Sequence, residues 1–278
     1  MKVTTGMNGK RVLVTGAGTG IGTGVALEFA KECAAVALHY SRSAEGAEQA
    51  VAEIRDAGGT AELFQADFNK TAEVRRLGHE AVEFLGGLDV LVNNAGITTN
   101  VPFEEVTEDQ YDLLYNVNIK AQFFLTQTVL PALEKSPGAT VINLTSVHAF
   151  AGMTEHSIYA GTKGAIVAFT RELSLELIQK GVRVNAIAPG WIEVPNHHKV
   201  LGDDFDWENA PKSLPAGFVG QPSDIGRLAI FLSSEESRYI IGQTVLIDGG
   251  QSVIMPNTGD FRERRKHRFG QGYVPGLK

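Results

Sequence analysis

Short apolar runs alternate with longer amphipathic ones along most of the chain. Arg11 to Thr15 reads as a buried strand, and Gly20 to Glu32 follows with apolar residues at helical spacing. Ala34 to Tyr40 is a second strand, and Ala44 to Ala57 a helix stopped by Gly58-Gly59. Thr60 to Ala66, Leu88 to Asn93, Thr140 to Thr145, Val182 to Ala188 and Gln243 to Asp248 continue the strand series. Helices are expected over Thr71 to Leu85, Thr107 to Leu133, Ser157 to Lys180 and Pro222 to Ser233. Strands separated by helices of this length must be joined by parallel crossovers. The predicted architecture is therefore α/β, a Rossmann-type doubly wound parallel sheet of about seven strands with helices on both faces.

Two segments break the alternation. Residues 195–220 hold three prolines among polar and aromatic residues, and they follow the sixth strand, where an open sheet exposes its ligand crevice. A lid is expected there. Residues 251–278 trail beyond the last strand and carry the basic run Arg262 to Arg268. The chain thus divides into a catalytic domain over 1–250 and a C-terminal tail, which is expected to cross to a neighbouring subunit through Phe261, Phe269 and Tyr273.

Composition narrows the function class. The chain has 278 residues, 43% hydrophobic and 21% charged, enough for one large core. A net charge of -7 argues against a nucleic-acid surface, which needs a concentrated basic field. Cys33 is the only cysteine, so an intrachain disulfide is excluded. With no apolar run of about 18 residues to cross a membrane and no secretory leader pattern, a cytoplasmic protein is expected.

The chemistry begins at Thr15-Gly16-Ala17-Gly18-Thr19-Gly20-Ile21-Gly22, between the first strand and the first helix. Glycines there permit a tight turn and let a pyrophosphate approach the amides of a helix N-terminus. About twenty residues on, a site that prefers NAD commonly carries a carboxylate for the ribose hydroxyls. Here the second strand ends His39-Tyr40-Ser41-Arg42-Ser43, with a hydroxyl and a guanidinium suited to a 2'-phosphate. NADP is expected, with NAD as the alternative.

Tyr159 and Lys163 sit four residues apart in a predicted helix, hence on one face. An ammonium beside a phenol favours the phenolate and is expected to lower the tyrosine pKa toward a general acid or base. Ser146 ends the fifth strand, in place to bond the oxygen that exchanges the proton. His148, Glu155, Trp191, Asn196 and His197 flank the crevice as candidate substrate contacts. The adjacent His197 and His198 have no accompanying ligand set, so no catalytic metal is expected.

Taken together, Thr15-Gly16-(x)3-Gly20-Ile21-Gly22, Asn93-Asn94-Ala95-Gly96, Asn118, Ser146, Tyr159-(x)3-Lys163 and Pro189-Gly190 resemble the short-chain dehydrogenase/reductase family from about Lys10 to Gly250. The resemblance implies that Tyr159 is the acid/base and Ser146 orients the substrate oxygen. It implies that Lys163 binds the nicotinamide ribose and that Asn118 holds a water linking Lys163 to solvent. Cofactor contacts would come from Gly16, Thr19, Gly20, Ile21, Tyr40, Ser41, Arg42, Asp67, Phe68, Asn94, Ala95, Gly96, Tyr159, Lys163, Pro189, Gly190 and Ile192. Val194 stands where the family often has a cofactor-bonding Thr. Such proteins usually form tetramers through the two long helices and the last strand.

The polar crevice residues suit a small polyhydroxylated substrate, so a sugar or polyol dehydrogenase resembling glucose 1-dehydrogenases is expected. The alternatives are a 3-oxoacyl-carrier-protein reductase, which the overall acidity disfavours, and a dinucleotide-binding sensor or scaffold without turnover.

Overall fold

In the computed structural model, which describes residues 5–202, 204–254, 260, 262 and 263, seven parallel strands form one sheet in the order β3-β2-β1-β4-β5-β6-β7. They are β1 (Arg11–Val14), β2 (Ala35–Tyr40), β3 (Ala61–Gln65), β4 (Val90–Asn93), β5 (Thr140–Leu144), β6 (Arg183–Pro189) and β7 (Thr244–Ile247). The helices α1 (Gly20–Lys31), α2 (Ala44–Asp56), α3 (Thr71–Leu85), α4 (Glu108–Tyr115), α5 (Ala121–Leu133), α6 (Ser157–Ile178), α7 (Pro195–Leu201) and α8 (Pro222–Ser233) connect them.

Period-two alternation in the strands builds two cores. Val12 and Val14 of β1, Val36 and Leu38 of β2 and Val90 and Val92 of β4 point to one face, where α1, α2 and α8 cover them with Val25, Phe29, Ile54 and Ile225. The intervening Leu13, Ala37 and Leu91 point to the other face, against Leu77 of α3, Leu125 of α5 and Leu177 of α6. Burial on both faces explains why the strands read as nearly continuous apolar runs. The strand order reverses direction between β1 and β4, and the crevice beyond their carboxyl ends is the place such a sheet offers a ligand.

The amino ends of the central strands are pinned by charge. Asp89, just before β4, accepts hydrogen bonds from the Arg11 backbone N–H and Nε, each at 2.8 Å, and from the Ser136 hydroxyl. Burial works to raise the Asp89 pKa, yet these bonds and the guanidinium charge hold it down at about 2. This cluster ties β1 to β4 far from the crevice.

Two predicted segments differ in detail. The expected single helix over 107–133 is interrupted by a π-helical turn at Asn116–Lys120 between α4 and α5. Hydrophobic periodicity does not register one inserted residue, and such turns recur at functional sites. The expected irregular lid contains α7 and a 3-10 turn at Ala210–Ser213, and its base is closed by a bridge between Ile192 and Gly220.

The tail expectation falls largely on residues outside those described, including Phe261, Phe269 and Tyr273. Of the described tail residues, Arg262 donates to the carbonyls of Lys212 and Leu214, on the lid of its own chain. Among the described residues no helix is long and apolar enough to cross a membrane.

Candidate active site

A cleft of about 520 Å³ opens above the carboxyl ends of the strands. One half is built by the turn between β1 and α1. Gly16 adopts φ 65°, and a Cβ there would come 2.8 Å from the Ala95 Cα, so the turn can lie against the strand-β4 exit only as glycine. Asn94 fastens that exit by donating from Nδ2 to the carbonyls of Thr15 (2.8 Å) and Gly16 (3.1 Å). Thr19 occupies the N-cap of α1 but makes no side-chain capping bond, which leaves the first-turn amides for an anion.

The same half is lined by Gly20, Ile21, Tyr40, Ser41, Arg42, Asp67 and Phe68. It also contains a residue that the sequence did not single out. His39 of β2 is 1% exposed, and its ring stacks on Phe68 with centroids 4.1 Å apart. Its signal in the sequence was only that of a polar residue inside an apolar run.

The donor set fits a dinucleotide phosphate. A glycine turn without side chains faces a helix N-terminus, and a guanidinium and a hydroxyl stand at the end of β2. Arg42 and Ser41 are both exposed at the lip of the cleft.

The other half carries the acid/base candidates. Tyr159 and Lys163 both line the cleft from α6, with the Lys163 Nζ 5.5 Å from the Tyr159 ring centroid. Lys163 is 4% exposed and donates to the Leu144 carbonyl at 2.9 Å. Burial draws its pKa down to about 8.

The expected lowering of the Tyr159 pKa is not what this site does. Burial raises it, and the hydrogen bond with Ser146 only partly offsets that. The physical reason is the position of the ammonium, which lies over the ring face and is occupied by the Leu144 carbonyl rather than by the phenol oxygen. Tyr159 is accordingly a protonated phenol at neutral pH.

Ser146 accepts from the His148 backbone N–H at 3.2 Å, so its own proton is free to serve the Tyr159 oxygen. Asn118 lies in the π-helical turn and is 1% exposed. Its Oδ1 accepts from the Ile97 N–H at 2.8 Å, and its Nδ2 donates to the Ile97 carbonyl (2.9 Å) and to Thr162 (3.0 Å). These three bonds make the Asn118 side chain the anchor of the Ile97 segment beside Lys163. A Cβ on Gly96 would come 3.3 Å from the Asn118 Oδ1 and 3.5 Å from the Lys163 Nζ, so Gly96 lies directly against both side chains.

The candidate substrate residues divide. His148 sits edge-on to Tyr159 with ring centroids 5.4 Å apart, its Nδ1 buried without a hydrogen-bond partner among the described residues. Burial and the neighbouring His156 lower the His148 pKa, so the ring is neutral. Asn196 lines the cleft, as do Pro189 and Val194. Gly190 and Ile192 stand just outside that lining, Gly190 against Asp248 and Ile192 buried at the lid base.

Glu155 is not brought to the cleft. It is exposed at φ 64°, and only its carbonyl is engaged, by the Val101 N–H at 3.0 Å. Trp191 joins an aromatic group on the lid with Phe205 and Trp207, at centroid separations of 5.8 and 6.2 Å. His197 and His198 diverge, the latter stacking on Trp207 and meeting Glu193 at 3.2 Å. Among the described residues no group of three or more His, Cys, Asp or Glu could hold a metal ion. Leu113, Val117, Ile97 and Thr98 also line the cleft; no motif marks them, because they come from a loop, from α4 and from the π-helical turn.

Residues 16–252 match a family described as enoyl-(acyl carrier protein) reductase. The chain is 39% identical over 256 residues to the hydroxynaphthalene reductase-like protein Arp2 of Metarhizium robertsii, covering 88% of this chain and 95% of that protein. It is 35% identical to a probable tetrahydroxynaphthalene reductase of Zymoseptoria tritici, covering 88% and 96%. Among solved structures, a short chain dehydrogenase from Burkholderia cenocepacia in complex with NADP superposes with TM-score 0.81 at 33% identity, over 87% of this chain and 98% of that one. A putative short-chain alcohol dehydrogenase from Sinorhizobium meliloti gives TM-score 0.85 at 33% identity, over 91% and 100%.

Proposed function

Because the chain belongs to the short-chain dehydrogenase/reductase family and is an NAD(P)-dependent oxidoreductase, we propose that it reduces a carbonyl on a largely apolar, ring-containing substrate, with NADP as the cofactor. The carrying observation is Tyr159, a half-buried phenol held protonated at neutral pH beside Ser146 and Lys163.

A nicotinamide dinucleotide, when bound, supplies the hydride. In reduction the Tyr159 hydroxyl gives its proton to the carbonyl oxygen while Ser146 donates a hydrogen bond to the same oxygen. Lys163 places a positive charge beside the phenolate that remains, so the proton is easier to give up in the transition state than in the resting enzyme. In the oxidising direction the same atoms act in reverse.

The substrate class is supported by apolar residues in the cleft and by exposed ones on the segment that leads to Tyr159 in the chain and on the loop bonded to it. Phe103, Phe150 and Met153 are 80%, 51% and 59% exposed. They stand on two loops joined by the Val101 to Glu155 hydrogen bond. The cleft itself is lined by Ile97, Leu113 and Val117, and apolar walls of this kind favour an apolar ligand. The names of the relatives, which refer to hydroxylated naphthalenes, point the same way.

The sugar or polyol reading is kept as a second one. His148, with its unpartnered Nδ1, and Asn196 offer polar contacts suited to a substrate hydroxyl. A 3-oxoacyl-carrier substrate fits less well with a net charge of -7, since an acidic carrier needs a basic docking surface. Assembly as a homotetramer is part of the proposal, supported by Phe123 on α5 and Leu175 on α6 at 44% and 64% exposure. A cytoplasmic setting is proposed with it.

The test is an NADPH oxidation assay with bicyclic aromatic ketones, aldoses and a 3-oxoacyl thioester side by side, followed by NADP reduction with the corresponding alcohols. Turnover of the bicyclic ketones at the highest kcat/KM is the expected result. Preference for aldoses or polyols would replace the substrate assignment with the second reading, and no turnover of any carbonyl or alcohol would remove both.

A further inference from the structure

The cofactor half of the cleft is assembled from three chain segments distant in sequence: the turn after β1, the end of β2 and the exit of β3. One side chain bonds to the first and third while belonging to the second. The Gly16 N–H can only donate, so His39 Nδ1 accepts it, at 3.1 Å. The Ala66 carbonyl can only accept, so Nε2 carries the proton and donates, also at 3.1 Å. The two partners together fix one neutral tautomer.

Burial acts in the same sense, drawing the His39 pKa down to about 4. The backbone repeats the tie, since the Ala17 N–H donates to the His39 carbonyl at 2.7 Å. The Phe68 ring, stacked on His39 at an interplanar angle of 8°, follows directly on Asp67 in the lining of the cleft.

We propose that His39 is a positioning residue for the dinucleotide: its Nδ1, accepting from the Gly16 N–H, fixes the glycine turn against the end of β2, while the Ala66 bond and the stack on Phe68 hold the ring in the orientation that serves this acceptor. It touches the machinery rather than the reacting atoms, so its influence belongs to cofactor binding and not to proton transfer. The inference rests on the cofactor assignment made above, and the parent enzyme's own NADP affinity tests that assignment separately.

Two substitutions separate the hydrogen bonds from the bulk of the ring. His39→Phe keeps a stacked ring but leaves the half-buried Gly16 N–H and the buried Ala66 carbonyl without their partner. His39→Asn restores an acceptor near the position of Nδ1 while giving up the stack. Fluorescence titration with NADPH and steady-state kinetics are to be run on parent and both variants, with thermal unfolding recorded so that binding is compared where all are folded. His39→Phe is expected to weaken NADPH binding by about tenfold or more, the loss typical of an orphaned buried group. kcat at saturating NADPH and the KM for the carbonyl substrate should stay within about threefold, and His39→Asn should recover most of the affinity.

Parent-like NADPH affinity in His39→Phe would overturn the proposal. So would a fall in kcat and both affinities together in the two variants, which is what a purely structural role predicts. If His39→Phe does not fold, the Asn variant decides: near-parent affinity for NADPH supports the acceptor role, and a loss of about tenfold or more with unchanged unfolding temperature overturns it. A parent that binds no dinucleotide would refute the cofactor assignment, and with it the role given to His39.

Discussion

The Lys163 ammonium lies over the face of the Tyr159 ring, 5.5 Å from its centroid, and donates to the Leu144 carbonyl at 2.9 Å. One helical turn separates the two residues, but their relation is set by burial and by β5, not by the helix alone. In this arrangement the cation is held close without being spent on the phenol, and its charge becomes most valuable when the phenol has lost its proton.

Holding that cation carries a stability cost with a defined pH window. The Lys163 pKa is lowered from 10.5 to about 8 by burial. Between those values the unfolded chain binds the extra proton, so stability rises with pH from about 8 to about 10.5. Below pH 8 the buried charge costs about 3 kcal/mol, by the conversion of about 1.4 kcal/mol per pKa unit. Lys163→Met should remove this rise, measured by urea unfolding at pH 7.5 and 10. A variant that keeps the parent's pH slope would show that the rise has another origin.

Tyr159→Phe is expected to lower kcat by about 10² to 10⁴ while leaving NADPH affinity nearly unchanged, because it removes the proton donor and little else. With its pKa raised, the parent's phenol stays protonated through neutral pH. Reductive kcat/KM should therefore be level at neutral pH and fall as pH climbs through about 8, where Lys163 loses the charge that eases release of the Tyr159 proton. Activity of the Phe variant within tenfold of the parent would exclude Tyr159 as the donor.

Arg42→Ala should weaken NADP binding by about 10- to 100-fold and NAD binding by much less, the loss expected of a charge-assisted bond to the 2'-phosphate. Equal changes for the two cofactors, measured by competitive titration, would place the guanidinium elsewhere in the complex.

Asp89 allows a stability prediction remote from the site. Its pKa is depressed from 3.8 to about 2, so its contribution is complete above about pH 4 and is lost as pH falls through about 2. Asp89→Asn keeps the shape but loses the charge that meets Arg11, and should cost about 2 kcal/mol at pH 7, read by urea unfolding. The difference from the parent should shrink as the pH is lowered toward 2, and a constant difference would exclude the ion pair as its source.

The sequence by itself determined the layered α/β architecture and the placing of its motifs, because both depend on local pattern. Alternation of apolar residues put Val12 and Leu13 on opposite faces, and Gly16 announced a turn only glycine can make against Ala95. Tyr159 and Lys163 were one turn apart in any helix. What only the tertiary structure decided was the environment of each group. Periodicity could not show that Lys163 would be desolvated and bound to Leu144, so the sign of the Tyr159 pKa shift came out opposite to the sequence expectation. Nor could it show the extra residue of the π-helical turn that turns Asn118 toward Ile97. His39 looked like one polar residue at the end of a strand, and it became a bridge only when parallel pairing brought Gly16 and Ala66 to either side of its ring. Electrostatics and hydrogen-bond geometry depend on neighbours distant in the chain, and those neighbours are supplied by the fold.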